Sequence, residues 1–370
     1  MGLSENYQTC KRWSSGELYG IRPGTQCRQG VPVPTVDPVS KIRSTKERGI
    51  TTEQIKRVTD KIRTKYGDLN SPDAQREFSD SLDKLKPRTS NYQSIITVGR
   101  EKFQDKLQQV SSLMGSLKGG NSDLVLKLAQ SKRNVDNAKS EEELSQAKKK
   151  HEEYQKIFES FQEAQKVMES IKNSLISRGD LQNSSDRAKD VNIESGLDNK
   201  KLRSVLQTLN QITNNQVDTL EKIYSSRDRP YAAKPRTPYP GEEKDLTGRI
   251  NLGNTVSRKQ EAALWHEFGH HIEYSIDEYR EAAYQWMRSK VTGSLTSLNS
   301  LVKTNRYESD EKAYPGNFGL GAYVGKYISS RNTEVISMGL ERFSSPASMV
   351  EFYQKDPEHF LLVLGILSNL

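Results

Sequence analysis

Histidine, cysteine and long apolar runs are all scarce in this sequence of 370 residues. It contains five histidines and two cysteines, 33% of its residues are hydrophobic, and its mean hydropathy is −0.81. Cys10 and Cys27 cannot build a disulfide framework, which favours synthesis in a reducing compartment, and whether the two pair stays open. No stretch reaches the roughly 20 apolar residues of a membrane span, and the N-terminus lacks the apolar core of a signal peptide. We therefore expect cytoplasmic synthesis with no membrane span.

Basic residues exceed acidic ones, giving a formal net charge of +8. The densest basic stretch is KIRSTKERGITTEQIKRVTDKIRTKYG, residues 41–67. Nucleic-acid sites usually interleave such charges with aromatic side chains that stack on bases, and this stretch has none between its charges. A solvated helix face is the favoured interpretation, and we do not expect nucleic acid as a partner.

Proline-rich segments divide the sequence into three predicted parts. Residues 1–40 read as an extended polar arm, and a second proline-rich stretch over 225–245 reads as a linker. Between them, 41–228 is predicted to be helical and coiled-coil-like, because one apolar stripe steps by threes and fours along 140–177. That stripe comprises Leu144, Ala147, His151, Tyr154, Phe158, Phe161, Ala164, Met168, Ile171 and Leu175. After the linker, 229–370 combines a short predicted strand with helices, so the fold class is mainly α with an α+β C-terminal domain.

Three of the five histidines lie in one short stretch, LWHEFGHHIEY at 264–274. His266 and His270 are four residues apart, so on a helix their rings project from one face and can hold one ion. Glu267 lies beside that face, where it can take a proton from a water bound to the metal. These are the parts of a zinc hydrolase. The apolar neighbours Ala262, Ala263, Trp265, Phe268 and Ile272 predict a mostly buried helix, in which polar groups need partners.

A catalytic zinc ion needs a third protein ligand and an open fourth position. The best candidate is Glu334, in the stretch YVGKYISSRNTEVISMGLERF at 323–343. Asn332 and Thr333 are predicted to open a helix there, and a lone carboxylate among apolar residues is what a buried metal would justify. Glu341 is the runner-up and is expected to orient a ligand histidine or to lie at the surface.

The stretches HEFGHHIEY and YISSRNTE resemble the catalytic domain of anthrax lethal factor and its relatives, which are zinc metallopeptidases with a glutamate ligand. The resemblance covers roughly residues 248–370 and implies a zincin-like fold. It also implies that His266, His270 and Glu334 bind Zn²⁺ and that Glu267 is the general base and acid.

The same resemblance implies two further roles. Tyr327 stands seven residues before Glu334, where the family has a tyrosine that donates a hydrogen bond to the oxyanion of the tetrahedral intermediate. Tyr323 is the alternative donor. By analogy, the strand before the HExxH helix would bind an extended peptide by strand addition. Its residues are Arg249, Ile250, Asn251 and Leu252.

The main functional hypothesis is a zinc endopeptidase that acts on a protein or peptide substrate. The alternative is a structural or assembly protein that carries a metallopeptidase-like domain and self-associates through its helical region. HEFGHHIE together with TEVISMGLE is also similar to peptidase-like domains in structural and head-associated proteins of tailed bacteriophages. That second resemblance implies association with a virion.

Overall fold

The computed structural model describes residues 38–47, 50, 52–84, 88–115, 121–235, 247–254, 257–328 and 331–370. Nearly all of the predicted arm, with Cys10 and Cys27, lies outside the described residues. Fifteen helices and six short strands are found within these ranges, which confirms the mainly α prediction. No helix in the described ranges combines the length and apolar character that crossing a bilayer requires.

The chain forms two compact units, which divide between Arg88 and Thr89. The described part of the first unit contains α1 (Pro38–Glu47), α2 (Thr52–Tyr66) and α3 (Pro72–Lys84). Its own small core comprises Ile50, Ile55, Ile62, Leu69, Ala74, Phe78 and Leu82. Ser71 caps the start of α3, because its Oγ accepts a hydrogen bond from the Ala74 backbone N–H at 3.1 Å.

The second unit begins with six helices. They are α4 (Tyr92–Lys102), α5 (Gln104–Met114), α6 (Asn121–Asp136), α7 (Glu141–Ile176), α8 (Leu181–Asp190) and α9 (Asn199–Ile212). Helix α7 confirms the long helix predicted over 140–177, and Ser140 caps it by accepting from the Glu143 N–H at 3.1 Å. The first half of its apolar stripe is half-buried against α6. The second half is fully buried, where α7 packs against α5, α9 and the later helix Pro346–Lys355.

A four-stranded sheet follows, in the order β1-β2-β4-β3. Its strands are β1 (Asn192–Ile193), β2 (Lys222–Tyr224), β3 (Tyr231–Ala233) and β4 (Arg249–Asn251). β1, β2 and β4 are parallel, whereas β3 pairs antiparallel with β4. The predicted strand is thus present as β4, but it lies between β2 and β3. Its backbone is already paired on both sides, so the sheet edge expected at Arg249, Ile250, Asn251 and Leu252 is formed by β3 instead.

The remaining elements surround the HExxH stretch. They are α10 (Ser257–Ser275), α11 (Asp277–Lys290), β5 (Thr296–Ser297), α12 (Leu298–Val302), β6 (Lys312–Ala313), the 3₁₀ turn Ala322–Gly325, α13 (Val335–Arg342), α14 (Pro346–Lys355) and α15 (Pro357–Asn369). Helix α10 packs against α9, α11 and α13, and α15 is almost wholly buried.

One hydrophobic core joins the helices after residue 89 to the C-terminal part of the chain. Helix α15 packs closely on α4, where a Cβ on Gly365 would collide with the Ile95 carbonyl oxygen. Composition indicates a boundary near residue 228, but the compact units divide at 88/89. The reason is that proline-rich sequence marks a surface connection and says nothing about which helices share a core.

Candidate metal centre

The candidate metal centre depends on the close packing of α10 on α13. A Cβ on Gly269 would lie 2.5 Å from the Ser337 Cα, a distance that real Cβ atoms do not tolerate. Glycine therefore lets the two helix backbones touch. This contact brings Glu334, the residue just before α13, over the face of α10 that carries His266 and His270.

Three side chains converge at this contact. Glu334 Oε2 lies 3.2 Å from His266 Nε2 and 3.2 Å from His270 Nε2. Ligand atoms about 2.0–2.1 Å from a tetrahedral metal ion stand roughly 3.3 Å apart, so this spacing fits such a site. Ligand atoms of His266, Glu267 and His270 also lie within 4.8 Å of one another, and this group could hold a metal ion.

Neighbouring residues hold the candidate ligands His266 and Glu334 in place through polar contacts. Glu341 Oε2 lies 3.3 Å from His266 Nδ1, the ring nitrogen that faces away from Glu334, which is the contact expected of a residue that orients a ligand. Ser337 Oγ donates to Glu334 Oε2 at 2.9 Å. The fully buried Glu273 accepts hydrogen bonds from the backbone N–H and hydroxyl of Thr333 at 2.7 and 2.6 Å.

The electrostatics of the site favour a cation. Burial lowers the pKa of His266, but the carboxylates of Glu334 and Glu341 outweigh burial and raise that pKa to about 10. Burial opposes ionisation of Glu334 too, yet the two histidines hold its pKa well below the ordinary value. A proton and a metal ion compete for the same ring nitrogens. The centre therefore attracts positive charge to the point where the three side chains meet.

Glu267 lines an open cleft of about 710 Å³. The cleft is lined by Asp228, Arg229, Pro230, Tyr231, Ala262, Ala263, His266, Glu267, Tyr307, Glu308, Tyr323, Lys326 and Glu341. Glu267 is 5% exposed, and burial raises the pKa of its carboxyl. A carboxyl group with a raised pKa is a stronger base than an ordinary carboxylate, which suits a group that accepts and then returns a proton.

The structure places Tyr323 in the cleft and Tyr327 outside its lining. Tyr323 stacks on Tyr307 with ring centroids 5.5 Å apart, and burial raises the pKa of its phenol, which keeps the hydroxyl protonated. Tyr327 is 48% exposed, with its ring edge against Tyr314. An antiparallel bridge pairs Lys326 with Ala313, and successive side chains along extended backbone point to opposite faces. Lys326 thus faces the cleft, and its neighbour Tyr327 faces out.

An ion-pair network that the sequence does not reveal joins two residues of the cleft lining, Arg229 and Lys326, through Glu311. Glu311 Oε1 lies 3.0 Å from Lys326 Nζ, and Glu311 Oε2 lies 3.0 Å from Arg229 Nη2. Burial opposes ionisation of Glu311, but these two cations outweigh it and lower its pKa to about 2. The three residues come from separate segments, so no local motif signals their meeting.

The predicted peptide-binding strand lies beneath α10 and not in the cleft lining. The Arg249 carbonyl oxygen lies 3.4 Å from His271 Nε2, and Thr219 Oγ1 lies 2.9 Å from His271 Nδ1. Burial lowers the pKa of His271 to about 3, so this ring is a neutral packing residue at physiological pH. Ile250, Asn251 and Leu252 are fully buried as well, so β4 supports α10. The strand that reaches the cleft is β3, through Tyr231.

No protein-family model, curated protein or solved structure matches the chain. The chemistry of this centre thus depends on its own geometry. Two imidazoles and a carboxylate that meet at one point, with a second carboxylate beside them in a cleft, can bind a cation and transfer a proton next to it.

Proposed function

We propose that the protein is a zinc-dependent endopeptidase whose ligands are His266, His270 and Glu334. The observation that carries the proposal is the 3.2 Å approach of one Glu334 oxygen to both histidine Nε2 atoms, beside Glu267 in an open cleft. Two imidazoles and one carboxylate are a ligand set of catalytic zinc, whereas calcium and magnesium prefer sites made of oxygen atoms. Zinc held there would supply Lewis acidity, which acidifies water and polarises a carbonyl group.

Two side chains of the protein would carry out the proton transfer and stabilise the oxyanion. Glu267 would accept a proton from the attacking water and return it to the leaving amine, which its buried position and raised pKa favour. The Tyr323 hydroxyl would donate to the oxyanion in place of Tyr327, because Tyr323 lines the cleft.

The sheet edge next to the cleft supports an extended peptide as substrate. In the part of the chain that the structure describes, β3 is paired on one side only, with β4. A peptide that adds to β3 as a further strand would pass Tyr231 and enter the cleft. An antiparallel edge strand, a helix with both histidines and a second helix that follows the glutamate support a zincin-like fold for this region.

The test is the bound metal per chain, measured by elemental analysis after reconstitution with Zn²⁺. The natural protein should hold about one zinc ion, the stoichiometry of a site with three protein ligands. His266→Ala and Glu334→Ala should lose it. His151→Ala is the matched control, because His151 lies on α7 and contacts Ser131 instead of the centre. A natural protein without zinc, or an equal loss in the control, would overturn the proposal.

A second candidate function is assembly through the helical region. Helix α6 packs mainly against α7, and it leaves Val125 46% and Leu126 69% exposed. Self-association of this helix pair in a coiled-coil-like manner would cover both side chains, as an assembly or virion protein requires. Sedimentation velocity of the natural protein and of Leu126→Asp measures it: a dimer or larger species that dissociates in the variant supports assembly, and a monomer in both contradicts it.

A further inference from the structure

Lys326 contacts two carboxylates and one tyrosine hydroxyl group beside the cleft. Its Nζ lies 3.0 Å from Glu311 Oε1, 3.2 Å from the Tyr323 hydroxyl oxygen and 3.7 Å from Glu334 Oε1. Its side chain is 19% exposed and lines the cleft together with Glu267 and His266. The ammonium group is therefore next to the proposed metal ligands and open to a substrate.

In the hydrogen bond between Lys326 and Tyr323, lysine is the donor and the tyrosine oxygen is the acceptor. A lysine ammonium only donates hydrogen bonds, so the Tyr323 oxygen must accept from Lys326 at 3.2 Å. The proton of the tyrosine hydroxyl then points to another partner. Accepting from a cation also polarises the phenol and makes it a stronger donor. Lys326 and Tyr323 together present positive charge and an O–H to the cleft.

A purely structural role for Lys326 explains less. Glu311 already has the Arg229 guanidinium at 3.0 Å and the Glu308 backbone N–H at 2.8 Å. Glu334 already contacts two histidines and Ser337. Neither carboxylate depends on Lys326 as its only partner. A cation in the wall of a cleft, whose carboxylate neighbours also have other partners, suits the stabilisation of charge that appears during a reaction.

We infer that Lys326 is a catalytic residue whose ammonium group, together with the Tyr323 hydroxyl, stabilises the oxyanion of the tetrahedral intermediate. This inference rests on the proposed peptidase function. It differs from the single tyrosine that the sequence resemblance implies, because it assigns a fixed cation to the same position.

Glu267 and Lys326 would have separate roles in this hydrolysis. The water oxygen forms a bond to the carbonyl carbon while Glu267 accepts the water proton, and the carbonyl π electrons move to the oxygen beside Lys326. The carbon–nitrogen bond then breaks and its electron pair leaves with the nitrogen. Glu267 gives the proton to that nitrogen, and the oxyanion electrons re-form the carbonyl group. Lys326 keeps all its protons and acts only through its charge and hydrogen bonds.

Small probes test the inference without a known substrate. Protein loaded with Co²⁺, whose visible absorption reports changes in coordination, would be titrated with inorganic phosphate and, separately, with 2-mercaptoethanol. Phosphate presents tetrahedral anionic oxygens to Lys326, whereas the thiol offers the metal one sulfur and no oxyanion. The two titrations give a Kd for phosphate and a Kd for the thiol at the same bound metal. The ratio of these two Kd values does not depend on the fraction of protein that is folded.

Lys326→Met should raise the Kd for phosphate by about 10- to 100-fold, the loss expected for a hydrogen bond to a charged group. Its Kd for the thiol should change by less than about threefold, since no such bond is lost. Lys326→Arg should restore most of the phosphate affinity. The matched control is Lys312→Met, because Lys312 is an exposed lysine on β6 outside the cleft lining.

The outcomes separate the two proposals. An unchanged ratio of the two Kd values in Lys326→Met overturns the inference and leaves the metal centre standing. A natural protein that binds no Co²⁺ and no Zn²⁺ overturns the proposed function itself. If Lys326→Met does not fold, Lys326→Gln serves the same comparison, because it also removes the charge. With a peptide substrate in hand, kcat should fall by about 10²- to 10³-fold in Lys326→Met, as for other oxyanion donors.

Discussion

The Glu273 carboxylate receives both hydrogen bonds that Thr333 can donate. The two residues are fully buried, and the donor–acceptor distances are 2.7 Å from the backbone N–H and 2.6 Å from the hydroxyl. Glu273 belongs to α10 and Thr333 directly precedes Glu334. This pair therefore fixes the third candidate ligand relative to the two histidines, through the backbone.

Removing the Thr333 hydroxyl tests that linkage. Thr333→Val keeps the side-chain shape but leaves a buried carboxylate oxygen without its donor, which should lower the free energy of unfolding by about 1–3 kcal/mol. Zinc affinity, measured by competition with a chelator, should weaken by about 10- to 100-fold because Glu334 is less well oriented. Thr208→Val is the control, since the Thr208 hydroxyl bonds only its own helix, at the Ser204 carbonyl. Unchanged zinc affinity in Thr333→Val would contradict this role.

The close contact at Gly269 predicts a second sensitive position. Gly269→Ala adds a methyl group 2.5 Å from the Ser337 Cα, so α10 and α13 must separate. Overpacking of this kind destabilises by roughly 1–3 kcal/mol, and the separation should also reduce bound zinc because Glu334 moves with α13. Gly115→Ala is the control, as its nearest neighbour would be at an ordinary 3.7 Å. Equal zinc content and equal free energy of unfolding in both variants would show that α10 and α13 accommodate the added methyl group, which would contradict this prediction.

Acid should destabilise the second unit through His359. Its Nε2 donates to the Val335 carbonyl at 2.8 Å, and burial lowers its pKa to about 4. The neutral ring is favoured in the folded state, so the unfolded chain takes up the proton first as pH falls below about 6.5. Stability is therefore full above that pH and is lost as pH falls toward 4.

The size of this effect can be isolated by a substitution. Between pH 8 and pH 5, His359 should account for a loss of about 2 kcal/mol in the free energy of unfolding. Urea titrations followed by tryptophan fluorescence report it, since the Trp286 ring centroid is 4.5 Å from that of His359. His359→Gln cannot titrate, so its stability should fall less over the same range. Parallel pH profiles for the two proteins would rule out this assignment.

Zinc binding should release protons. Metal-free His266 has its pKa raised to about 10, because Glu334 and Glu341 outweigh the effect of burial. The ring is then protonated at pH 7 and must lose its proton to bind a metal. We expect release of at least about one proton per zinc ion, and an affinity that rises with pH through the neutral range. Calorimetric titrations in two buffers of different ionisation enthalpy measure this, and a binding heat that is the same in both buffers would exclude it.

The shared position of His266 and His270 on one helix face could be predicted from the sequence, because it depends only on their spacing of four residues. Residues four apart on a helix share a face, and the flanking apolar residues indicate that the face is buried. Glu334 was also readable, since Asn332 and Thr333 mark the start of a helix and an acid stands out among its apolar residues. The contacts of this glutamate with both histidines are a property of the α10–α13 crossing at Gly269.

Long-range pairing explains what the sequence could not reveal. The two tyrosine candidates, Tyr323 and Tyr327, differ in position because of one antiparallel bridge between Ala313 and Lys326. This long-range pairing turns Lys326 toward the cleft and Tyr327 away from it. The edge of the sheet is β3 because β2 and β4 pair directly, and strands of three residues carry too little pattern to predict their order. The network around Lys326 is assembled from three distant segments, and none of its members has a distinctive neighbour in sequence.

The packing of α4 on α15 limits how far the chain can be shortened while the candidate metal centre keeps its surroundings. A fragment that begins at residue 229 would keep every proposed ligand. It would lose α4, the helix that packs on Gly365 and covers the apolar side chains of α15. It would also lose α9 from the side of α10. The histidines of such a fragment would belong to a helix that has lost part of its packing. Any shortened version meant for metal or peptide work should therefore begin no later than Thr89, where the second compact unit starts.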